Sequence, residues 1–116
     1  MGNERRIDMN VNLKGHPRFH DILEELRLLH SNKNSDYATK EEPLSNLRAC
    51  EKLGLPPWVG VMVRLQDKWD RLTVLSRKKL EGEFPAVKDE SMIDTLKDNA
   101  IYSILAIILL TEGDND

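Results

Sequence analysis

Carboxylates recur at helical spacing late in the chain, in DESMIDTLKDNAIYSILAIILL (residues 89–110). Glu90, Asp94 and Asp98 stand at i, i+4 and i+8, so at about 100° per residue they share an arc about 80° wide on one helix face. The same arc continues into Ile101, Leu105, Ile108 and Leu109. A stripe that is acidic in its first half and apolar in its second directs the carboxylates inward, and it leaves Thr95 and Asn99 on the far side as a solvated face. Lys97 borders the stripe and must extend outward or pair with an acid. Inward carboxylates repel one another, and burying unpaired charge is costly. A hard divalent cation, Mg2+ or Mn2+, would neutralise them and could also hold substrate phosphates. In the alternative reading this half of the helix overhangs solvent, and its acids merely favour the positive end of the helix dipole.

A second acidic source lies in RLQDKWDRL (residues 64–72). Asp67 falls opposite the apolar stripe of its helix, close to Gly60, Arg64 and Arg71, so that face could line a polar site between helices. Asp70 is either a further ligand or an ordinary exposed acid. Arg64, Lys68 and Arg71 could meet phosphates, the arginines through their planar forks; pairing at i,i+3 and i,i+4 with Asp67 and Asp70 is an equally direct use of them. KNSDY, with Lys33, Asp36 and Tyr37, adds a mixed cluster in a polar loop, or a simple turn. His16, His20 and His30 do not form a zinc pattern, and no Gly-rich phosphate loop, nucleophile elbow or CxxC occurs.

The elements that would position these residues are helical. Pro17 suits a first turn, and Phe19, Ile22, Leu23, Leu26 and Leu29 recur on one face, predicting a helix over about 17–31. A polar loop, SNKNSDYATKEE, follows. Pro43 opens a short helix carrying Leu44, Leu47 and Cys50; KLGLPP closes it, with Gly54 fit for a left-handed cap. Pro57 opens a third helix to about Leu80, whose stripe is Trp58, Val61, Met62, Leu65, Trp69 and Leu72. EGEFPAVK reads as a loop and Asp89 as the N-cap of a fourth helix ending near Thr111. Apart from a weak DMNVNL near the start, strand signals are absent. The expected fold is all-α, a four-helix antiparallel bundle over 16–112, with a flexible N-terminal arm (1–15) and a disordered tail (113–116).

Composition limits the rest. The 116 residues, 40% hydrophobic and 32% charged, predict one globular domain. A net charge of −3 and a pI near 5.6 offer no general attraction to a phosphate backbone, so no nucleic-acid partner is expected. The lone Cys50 rules out an intrachain disulfide and reads as a packed thiol in a reducing compartment. MGNERRIDMNVNLKG lacks the apolar core of a signal peptide, and Ile101–Leu110 is about half the length that spans a bilayer, so a cytoplasmic protein without a membrane partner is expected. The fourth helix is apolar around most of its circumference after Ala100, which predicts at least a homodimer.

Taken together, KNSDY (33–37), Asn46, RLQDKWDRL (64–72) and DESMIDTLKDNAIY (89–102) resemble the small phage and bacterial nucleotide modification associated domain proteins. These in turn resemble the all-α nucleoside triphosphate pyrophosphohydrolases, the MazG-like and dimeric dUTPase-like group. The similarity spans about residues 20–110. It implies a four-helix core that dimerises or tetramerises, Mg2+ held by carboxylates of two successive helices, and cleavage of a (d)NTP to its monophosphate and pyrophosphate. On that resemblance Asp67, Asp94 and Asp98 would be metal ligands, with Glu90 as a further candidate and Glu90 or a metal-bound hydroxide as the base. Lys33, Lys68 and Arg71 would offset developing charge, with Arg64 near the phosphates and Asp36 in the same cluster. Tyr37, Asn46 and Tyr102 would contact base or sugar, or serve only in packing and capping. Where MazG-like enzymes usually carry EExxE and ExxD, this chain has DKWD and DxxxD. A non-catalytic nucleotide-binding or helical assembly module is the alternative expectation.

Overall fold

A computed structural model describes residues 14–37, 47–82 and 85–114. Pro17 begins α1 (Pro17–Tyr37), and His16 caps it: the ring Nδ1 accepts the Arg18 amide at 3.0 Å and the His16 carbonyl accepts that of Phe19 at 2.9 Å. Ile22, Leu26 and Leu29 turn to the core as their spacing requires. The helix runs past its expected end near Ser31, so KNSDY forms its last turns and not a loop. No Gly or Pro interrupts residues 18–37, and polar side chains alone do not stop a helix.

The short helix expected from Pro43 is, among the described residues, a 3-10 helix at Ala49–Leu53; Pro43, Leu44 and Asn46 lie outside them. Gly54 ends it at φ 79°, the left-handed position anticipated, and its amide bonds the Glu51 carbonyl at 3.0 Å. Pro56 is extended and Pro57 opens α2 (Pro57–Leu80). One turn into α2, a Cβ on Gly60 would stand 3.2 Å from the Cys50 sulfur, so the 3-10 helix seats against α2 where the side chain is missing. Cys50 is half-buried there, with its thiol 3.5 Å from the Pro56 carbonyl.

The last helix, α3 (Pro85–Asp114), starts earlier than the expected Asp89 cap. Pro85 suits its first position; Asp89 lies inside the helix and pairs with Lys79 of α2. The helix also continues to Asp114, into the tail expected at 113–116. The arm at 1–13 and the residues 115–116 lie outside the described residues.

Four cross-pairs, Arg64–Tyr102, Lys68–Asp98, Arg71–Thr95 and Lys79–Asp89, advance along α2 as they retreat along α3, so the two helices form an antiparallel hairpin. The first helix does not lie alongside. Glu25 reaches Lys97 and Lys33 reaches Asp98, so about 12 Å of α1 converges on two adjacent residues of α3, and the helices cross steeply. At the crossing sit Leu26, Leu47, Val61, Ile101, Leu105, Ala106 and Leu109, with Val61 wholly buried. The fold is all-α. In place of the four-helix antiparallel bundle the described residues make a helical hairpin crossed by a third helix, with no strand. No helix among them is long and apolar enough to cross a membrane.

Candidate functional site

Asp98 is the carboxylate that all three helices reach. Lys33 of α1 donates to its Oδ1 at 2.9 Å, and Lys68 of α2 stands 3.2 Å from its Oδ2. The Asp98 side chain is 21% exposed. Burial pushes its carboxyl upward, but hydrogen bonds from Lys33 and Lys68 outweigh that and hold it below the ordinary carboxylate value. One helical turn onward, the Arg64 guanidinium donates to the Tyr102 hydroxyl at 3.3 Å and lies 5.8 Å from the ring centroid. One turn back, Arg71 Nε donates to Thr95 Oγ1 at 3.2 Å, and that hydroxyl donates to the Ser91 carbonyl at 2.8 Å. One side of the α2–α3 seam is thus a row of cationic side chains, each engaged by a polar group of α3.

The acids do not follow as a set. Glu90 and Asp94 are exposed, which corrects the inward orientation expected of them; only Asp98 is drawn in. Thr95, expected in solvent, is 3% exposed, and Asn99 is half-buried, with no donor reaching its Oδ1 among the described residues. The correction at Thr95 is one of rotation. The buried arc of α3 holds Thr95, Ile101, Leu105, Ala106 and Leu109, so it is centred some tens of degrees toward Thr95 from the acidic stripe. Asp98, about 80° from Glu90, falls inside that arc at the level where α1 crosses, while Asp94 and Glu90, one and two turns before the crossing, stay exposed.

On α2, Asp67 is exposed and Asp70 accepts a hydrogen bond from Gln66 at 3.1 Å. Among the described residues no three His, Cys, Asp or Glu side chains are grouped closely enough to hold a metal ion. What counters the Asp98 charge within the chain is a pair of ammonium groups. As a donor set, one carboxylate already shared by two lysines does not fit a divalent cation. Lys97 does pair with an acid, Glu25, at 2.9 Å, and Glu25 also meets Arg18 at 3.5 Å. Asn46 and the side chains of Asp36 and Tyr37 lie outside the described residues.

Of the sequence-derived residues, then, Lys33, Arg64, Lys68, Arg71, Asp98 and Tyr102 share one seam, and Glu90, Asp94, Asp67 and Asp70 do not join it. Thr95 belongs to the seam unanticipated, because a single polar residue on a helix carries no sign of which side its neighbour will dock. Comparison with protein-family models, with curated proteins and with solved structures returned no match.

Proposed function

We propose that this chain binds the polyphosphate of a nucleoside triphosphate at the Lys33–Lys68–Asp98 cluster. The observation that carries the reading is the meeting of three distant motifs, KNSDY, RLQDKWDRL and DESMIDTLKDNAIY, through Lys33, Lys68 and Asp98. Both lysines are partly exposed and sit on flexible stems, so their ammonium groups can pass from the carboxylate to phosphate oxygens. Arg64 and Arg71 flank the cluster and add charge along the same line. Tyr102, beneath Arg64, offers a ring and a hydroxyl for base or sugar.

A second reading is the catalytic one: a Mg2+-dependent pyrophosphohydrolase cleaving a (d)NTP to (d)NMP and pyrophosphate. It is favoured by Asp94 and Glu90, which precede Asp98 by one and two turns on the same flank of α3. Because the acids do not converge within one chain, this reading is tied to assembly as a homodimer or homotetramer.

Calorimetric titration of non-hydrolysable dNTPs, alongside pyrophosphate release from a dNTP panel with Mg2+, tests both. Lys68→Ala is expected to weaken binding about tenfold, the loss of one charge-assisted contact. Asp98→Asn separates the readings: it tightens binding, by removing the carboxylate that competes for the lysines, and it abolishes turnover if the protein is an enzyme. Unchanged affinity in Lys68→Ala overturns the site.

A further inference from the structure

Where α2 starts and α3 finishes, the hairpin holds a half-open cavity of about 570 Å³. Leu55 and Trp58 line it from the turn that enters α2, and Leu109 and Leu110 line it from α3. Arg48 and Glu51, at the 3-10 helix, and Glu112 of α3 add the charged part of the lining. Arg48 lies between the two acids, 2.5 Å from Glu112 and 3.5 Å from Glu51. The volume is that of a small-molecule pocket, and an apolar lining with a few placed polar groups is what such pockets share. Trp58 is 37% and Leu110 41% exposed, so apolar surface remains for a ligand to cover. Trp58 precedes Lys68 by about 15 Å along α2, which separates this cavity from the lysine cluster.

We propose that this cavity binds a small organic cation, an apolar body carrying one ammonium group. Among the described residues the charged lining of Arg48, Glu51 and Glu112 sums to one negative charge, which an ammonium brought to the carboxylates balances. Both glutamates are about half-exposed, and a carboxylate has lone pairs enough to accept from a ligand as well as from Arg48. The last turn of α3 ends at the cavity, and the carbonyls of a helix C-terminus add partial negative charge. The start of α2 offers an anion little, since Pro57 has no N–H and the Pro56 carbonyl takes the Val59 amide at 3.0 Å. An anionic ligand would also have to displace a glutamate from Arg48, which a cation need not do. The Trp58 indole is the aromatic side chain best suited to a cation–π contact. Leu55, Leu109 and Leu110 are placed to cover the apolar body.

Phenethylamine, protonated at neutral pH, probes the site, with phenethyl alcohol and hydrocinnamate as its neutral and anionic counterparts. In a Trp69→Phe background Trp58 is the remaining tryptophan, so its fluorescence reports on the cavity alone. The amine is expected to quench that emission with a Kd on the order of 1 mM, as suits so small a ligand, and the alcohol and the carboxylate to bind at least about tenfold more weakly. Glu112→Gln is expected to weaken the amine about fivefold, with unchanged circular dichroism and unchanged affinity for the alcohol. Glu51→Gln is expected to do the same while leaving the end of α3 untouched. Hydrocinnamate binding as tightly as the amine, no response to any of the three, or amine affinity unchanged in both glutamine variants overturns the proposal. Lys68→Ala is expected to keep amine binding, so the result stands apart from nucleotide binding.

Discussion

Asp98 is held in place by what it is paired with. A half-buried carboxylate is unfavourable alone, and here two ammonium groups from different helices offset its desolvation, turning one acid into the tie between α1, α2 and α3. Because its folded pKa is lowered, the tie is fully present above the ordinary carboxylate value of 3.8 and is lost as pH falls through the lower, folded value. Thermal melts across the acid range are therefore expected to show a loss of stability below about pH 4 that Asp98→Asn reduces. At neutral pH that substitution is expected to cost about 1 kcal/mol, since the lysines are partly solvated, lowering Tm by about 4 °C. A neutral-pH Tm equal to wild type would mean the pairs contribute nothing.

The α2–α3 hairpin sets the site's line at the scale of elements. Its seam is apolar on one side and polar on the other, where Thr95 supplies the acceptor for Arg71. Thr95→Val preserves shape but leaves that guanidinium nitrogen without its bond, with an expected cost of about 1 kcal/mol in denaturant unfolding at unchanged m-value. The seat of the 3-10 helix offers a sharper check. Gly60→Ala gains about 1 kcal/mol of helix propensity but pushes a methyl group to 3.2 Å from the Cys50 sulfur. Gly60→Ala is thus expected to be neutral or destabilising in the parent, yet stabilising in a Cys50→Ala background, and a coupling of zero in the double-mutant cycle would refute the contact.

For the whole molecule, a steeply crossed helix pair leaves much apolar surface outward. In the homodimer or homotetramer to which the catalytic reading is tied, folding and association are linked, and each tenfold rise in protein concentration would add about 1.4 kcal/mol of apparent stability. Tm measured by calorimetry over a hundredfold dilution series should fall on dilution; a flat series would identify the single chain as the folding unit.

The all-α class, the proline-marked starts of α1 and α2, the Gly54 cap and most core positions were legible in the sequence, because they follow from local covalent geometry and from hydrophobic period. So was the grouping of Lys33, Lys68 and Asp98 into motifs of interest. Periodicity locates an apolar arc only to within some tens of degrees, and it says nothing about the direction from which a neighbour arrives. That rotation is a property of helix packing. It put Thr95 into the seam, while the place where α1 crosses α3 left Glu90 and Asp94 in solvent and gave Asp98 two lysines from elements 30 and 65 residues away in place of the other acids of its own helix.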